Sequence, residues 1–119
     1  MTLLAQALVV VVAALHVLFM VLESVVWKTP LGQRIFKTTP EQAEATAVLA
    51  LNQGLYNGFL AAGLVWSLTP WCRDPRGVQT FFTACVLVAG LVGAATAARG
   101  ILFLQALPGL AALIAVRLV

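Results

Sequence analysis

The sequence predicts an all-α integral membrane fold: four transmembrane helices in an up-down-up-down bundle, with residues 1–119 forming a single domain. Three observations predict it. The chain is 62% hydrophobic and 9% charged, with a mean hydropathy of +1.03, whereas ordinary globular chains are about 45–50% apolar and about 25% charged. Its charges are confined to short stretches, which leaves uncharged runs long enough to cross a hydrocarbon core of about 30 Å, for which roughly 20 helical residues suffice. Each run is also punctuated by proline, glycine or a capping side chain.

These features exclude several classes. The net charge of +3 fits Lys and Arg meeting anionic headgroups of the lipid bilayer, and nucleic acid is not an expected partner. Cys72 falls in a predicted loop and Cys85 in a predicted helix, so they make neither a disulfide framework nor a metal spacing. No metal and no cofactor is expected. The N-terminal apolar run lacks a basic leader and is too long for a signal-peptide core, so the first helix is expected to stay in the mature protein.

The first helix is predicted over about residues 2–27. Lys28-Thr29-Pro30 ends it, because proline disfavours helix at the residue before it, and Trp27 sits where an interfacial aromatic belongs. Ile35 and Phe36 among Lys28, Arg34 and Lys37 predict a short segment lying on the membrane surface. The second helix, about 40–68, has a full start signal: Thr39 as N-cap, Pro40 at the first position and Gln42 closing a capping box. Glu41 and Glu44 suit the positive end of its dipole. Asp74-Pro75 starts the third helix, about 76–98, whose small residues Ala89, Gly90, Gly93, Ala94, Ala97 and Ala98 permit close helix approach and predict a homodimer. Arg99-Gly100 makes a tight connection to the fourth helix, about 100–118. Pro108-Gly109 is expected to interrupt that helix, freeing the Leu104 carbonyl. Lys and Arg are spread almost evenly over the two sides, so the charge rule gives only a weak lean toward a cytoplasmic first loop.

Polar side chains inside these runs mark the candidate site, because an unsatisfied polar group in hydrocarbon costs several kcal/mol. His16 and Glu23 lie on one face of the first helix, about 10 Å apart along its axis, and Trp27 extends that stripe. The second helix carries Asn52-Gln53-Gly54-Leu55-Tyr56-Asn57-Gly58. Counting depth from the first loop levels His16 with Asn52 and Gln53, and Glu23 with Ala45 and Thr46. This predicts a mid-membrane cluster of His16, Asn52, Gln53 and Tyr56, with Asn57 beside it. Arg99 is expected to reach Glu23 or Glu44. Gly54 and Gly58 form a GxxxG packing step.

With these residues placed, the chain resembles a bacterial membrane-protein family catalogued as domain of unknown function 1304. The resemblance is carried by His16, Met20 and Glu23, by Trp27-Lys28-Thr29-Pro30-Leu31-Gly32 with Phe36, by Thr39-Pro40, and above all by Asn52 to Gly58. It covers essentially the whole chain. Members often carry an acid directly before the histidine, where this chain has Leu15. The resemblance implies the four-helix fold and a multi-pass place in the bacterial inner (plasma) membrane, and it implies no activity.

The function expected from these residues is an intramembrane site for a small lipophilic molecule. His16 and Glu23 are the candidate catalytic residues, for proton shuttling or isomerisation. Asn52, Gln53, Tyr56, Asn57, Arg99 and Trp27 are the candidate binding residues. Two alternatives stand beside it. One is a small proton-coupled transporter of the multidrug type working through Glu23. The other is an accessory subunit whose polar cluster only specifies helix pairing.

Overall fold

The computed structural model describes residues 2–118 and is all-α, with 85% of the chain helical. Among the described residues five helices follow one another: α1 (Leu3–Val26), α2 (Pro30–Phe36), α3 (Pro40–Ser67), α4 (Pro75–Thr96) and α5 (Leu102–Leu118). Helices α1, α3 and α4 are long and apolar enough to cross a membrane, whereas α5 is apolar but shorter than 18 residues. Their outer faces are apolar as well: Val48 is 72% exposed and Leu49 67%. Continuous patches of this kind are a liability in water and match acyl chains.

Local chemistry sets the helix ends. The Thr39 backbone N–H donates to Gln42 Oε1 (2.9 Å) and the Gln42 N–H to Thr39 Oγ1 (3.1 Å), a closed capping box at the start of α3. Asp74 Oδ1 accepts from the Gly77 N–H at 2.9 Å, with Pro75 at the first position of α4. The segment between α1 and α3 forms a true helix. Thr29 caps α2 by accepting from the Gly32 N–H (3.1 Å), and its hydroxyl donates back to the Val26 carbonyl (2.6 Å). Gly32 is required at this corner, since a Cβ there would lie 2.0 Å from the Val26 carbonyl oxygen. Lys37, in the left-handed region at φ 56°, ends α2.

The chain divides into two compact units, one made of Met1–Leu15 with Leu60–Val119 and the other of His16–Phe59. In the first, Ala5, Val9, Val12, Leu64, Val86, Ala112 and Val116 build a buried apolar core. There α4 and α5 meet through glycine: a Cβ on Gly90 would lie 2.5 Å from the Ala106 nitrogen, and one on Gly109 would lie 2.8 Å from Val86. Gly93 faces Ile101 in the same way, so two of the small residues of α4 pack within the chain. The expected interruption at Pro108-Gly109 takes another form. The chain opens a π turn at Leu102–Ala106, closed by the Leu107 N–H on the Leu102 carbonyl, and the helix continues to Leu118. Arg76 Nε donates to the Val116 carbonyl at 3.0 Å, covering an acceptor in the last turn of α5 that has no helical partner.

Candidate functional site

The site lies in the His16–Phe59 unit and begins with a close approach of backbones. A Cβ on Gly54 would lie 3.1 Å from the Met20 carbonyl oxygen and 3.4 Å from the Glu23 Cβ. A larger residue would push α1 away from α3. One turn further along α3, the absent side chain of Gly58 leaves room for the Met20 sulfur, which would lie 2.8 Å from a Cβ there. The GxxxG step of α3 is thus a seat for α1. The last turn of α1, Leu22–Val26, is a π turn that contains Glu23, and the Ser24 hydroxyl donates to the Met20 carbonyl at 2.5 Å. Single π turns recur at functional positions in helices.

Held this close to α3, the Glu23 carboxylate meets Asn57, whose Nδ2 donates to its Oε1. One turn away, Trp27 is fixed from two sides. Its indole N–H donates to the Ala43 carbonyl and to Thr46 Oγ1, each at 3.2 Å. Its ring lies 4.6 Å from that of Phe36 at a 41° tilt. The Thr46 hydroxyl donates in turn to the Gln42 carbonyl at 2.7 Å. Between these anchors lies a shallow, largely open cleft of about 240 Å³, lined by Glu23, Trp27, Thr46, Leu49, Ala50 and Gln53.

The structure therefore brings Glu23, Trp27, Gln53 and Asn57 together. Of the other residues in this unit singled out by the sequence, His16, Asn52 and Tyr56 do not line the cleft. His16 is completely buried, its ring edge-on to Phe19 at 5.2 Å, and it is not part of the cleft wall. Asn52 and Tyr56 are exposed, one turn apart on a single face of α3, and the Tyr56 ring lies 6.3 Å from that of Phe59. Arg99 is exposed in the connection at 97–101. Both acids expected to receive it have other partners: Glu23 has Asn57, and Glu44 forms an exposed ion pair with Lys28 at 3.5 Å.

The depth count needs correction. Glu23 stands level with Gly54 and Asn57 rather than with Ala45 and Thr46, and Trp27 takes the level of Ala43 and Thr46. At Trp27 the partners on α3 lie close to the start of that helix, but four residues earlier, at Glu23, they lie about ten residues further along α3, so a residue-for-residue count does not hold between the two helices.

Sequence reasoning missed the lining role of Thr46, Leu49 and Ala50. The available signal was the helical spacing of Thr46, Ala50 and Gln53 along one stripe. It also missed Gln79, which is fully buried. Its Nε2 donates to Ser67 Oγ at 3.0 Å, and its Oε1 has no hydrogen-bond partner among the described residues. Among those residues no three His, Cys, Asp or Glu side chains come together.

A family described as "Protein of unknown function (DUF1304)" matches residues 10–117. The chain belongs to this family. Every residue of the cleft falls within the matched span, together with Asn57 and the α1–α2 corner. No curated protein and no solved structure gives a significant match.

Proposed function

We propose that this DUF1304 protein holds a small lipophilic molecule in the cleft walled by Glu23, Trp27 and Gln53, within a four-span, up-down-up-down bundle of the bacterial inner membrane. One observation carries this reading: a carboxylate, an amide and an indole converge on an open cleft whose remaining walls are largely apolar. Small-ligand sites combine apolar walls with a few placed polar groups in this way. The volume of about 240 Å³ exceeds the roughly 150 Å³ that holds a benzene and lies below the roughly 300–1,000 Å³ of drug-sized pockets. The fourth crossing is assigned to α5, which at 1.5 Å per residue is about 25 Å long, a shortfall that local bilayer thinning absorbs.

Native mass spectrometry of protein taken directly from membranes tests the reading. The wild type is expected to carry a small adduct, and Leu49→Trp, which fills the cleft without touching the Glu23–Asn57 pair, is expected to lose it. An adduct retained in Leu49→Trp contradicts the site. Binding without chemistry is the form favoured, since His16, the group suited to isomerisation, does not line the cleft.

Glu23 in the cleft wall also favours a second reading, proton-coupled transport of the bound molecule. In that case substrate addition releases a proton from the wild type and none from Glu23→Gln. A homodimer belongs to the same picture. Asn52 and Tyr56 are exposed on one face of α3, and a second copy would supply hydrogen-bond partners for them.

A further inference from the structure

The polar groups of the cleft are unevenly distributed between donors and acceptors. Asn57 is the hydrogen-bond donor to the Glu23 carboxylate among the described residues, and it engages Oε1. The ion pair of this region, Lys28 with Glu44, does not involve Glu23. The Trp27 N–H and the Thr46 hydroxyl are both committed to α3, so the donors of the cleft walls, apart from the Gln53 amide, already have acceptors. What the cleft offers a guest is the second carboxylate oxygen, the Gln53 amide and the indole of Trp27.

The second carboxylate oxygen has no donor among the described residues, and its complement is a cation that brings its own N–H donors. The indole reinforces that choice, because aromatic faces attract ammonium groups. Leu49 and Ala50 provide the apolar contact for the rest of the guest.

We infer that the ligand is a small lipophilic ammonium, an apolar or aromatic body carrying one protonated amine, whose N–H groups bond Glu23 and Gln53 beside Trp27. This rests on the proposed site and adds the charge and donor character of its occupant. The volume favours a single ring with a short aminoalkyl arm over a two-chain lipid.

Titration of 2-phenylethylamine and of its neutral counterpart 2-phenylethanol tests this in phosphatidylcholine nanodiscs, a bilayer without primary-amine headgroups. The readout is the Trp27 indole N–H resonance, assigned by its loss in Trp27→Phe. The amine is expected to shift it in a saturable manner, with an affinity about tenfold or more above that of the alcohol. Glu23→Gln, which keeps the shape and an acceptor for Asn57, should abolish that preference. Glu23→Asp should restore part of it. Equal binding of amine and alcohol, or an amine affinity unchanged by Glu23→Gln, overturns the ammonium inference and leaves the site standing. If neither compound moves the Trp27 resonance, the site falls too. A shift produced by phosphatidylethanolamine alone, with no further response to the free amine, assigns the ammonium to a headgroup and overturns the small-molecule form.

Discussion

At the scale of single residues, the pairing of Glu23 with Asn57 explains how an acid is tolerated near the end of a membrane helix. Neutral interhelical hydrogen bonds in membranes average about 0.6 kcal/mol, and bonds to charged acceptors reach about 1.5–3 kcal/mol in proteins generally. A double-mutant cycle of Asn57→Ala with Glu23→Leu, read by reversible unfolding in mixed micelles, should therefore give a coupling of about 1–2 kcal/mol. A coupling near zero contradicts the pair. Gln79 presents the opposite case. Its buried Oε1 has no partner among the described residues, and leaving such an acceptor unsatisfied costs about 1–3 kcal/mol. Gln79→Met, similar in volume, is expected to leave the melting temperature unchanged or to raise it. A loss of several degrees would show that the amide is needed for more than its bond to Ser67.

Among the elements, the α1–α2 corner and the α1–α3 contact depend on glycines that should differ sharply in tolerance. At Gly32 a Cβ meets fixed carbonyls of Val26 and Trp27, whereas at Gly58 it meets the flexible end of Met20. Gly32→Ala is expected to destabilise by about 2–3 kcal/mol or to displace α2, and Gly58→Ala by under about 1 kcal/mol. Thermal unfolding of both variants in one detergent checks the contrast, and equal losses would contradict it. The starts of α3 and α4 were legible in the sequence because caps and N-terminal prolines act locally: Thr39, Pro40 and Gln42 need nothing beyond their own turn. The π turns at Leu22–Val26 and Leu102–Ala106 were not legible. Nothing local marks the first, and at the second Pro108 signalled a disruption without its form. The partner of Glu23 was missed for a related reason. A residue-for-residue count does not hold between α1 and α3, and a count across a loop carries no information about where the two helices meet.

For the whole molecule, the membrane assignment was the most legible feature, because it follows from composition and run length and needs no tertiary detail. The three helices long and apolar enough to cross agree with it. Which polar groups face inward was much less legible. Asn52, Gln53, Tyr56 and Asn57 are close in sequence, yet the first three are exposed, Gln53 at the rim of the cleft, while Asn57 is half-buried and bonds to Glu23. Asn52 and Tyr56 lead to a prediction about assembly. A single cysteine at position 52 should form a disulfide across two copies under mild oxidation in native membranes, and Asn52→Leu should weaken the proposed dimer, read as the oligomeric state in nanodiscs. No crosslink at position 52, with efficient crosslinking from the outer face of α4, would move the interface to the small residues of that helix. The central claim, that the cleft beside Glu23 is the binding site, is tested most directly by an experimental structure of the protein with the molecule that copurifies with it. Density between the Glu23 carboxylate, the Trp27 indole and Gln53 is the expected result. Density beside Tyr56 and Asn52 on the outer face of α3, with the cleft empty, would contradict it.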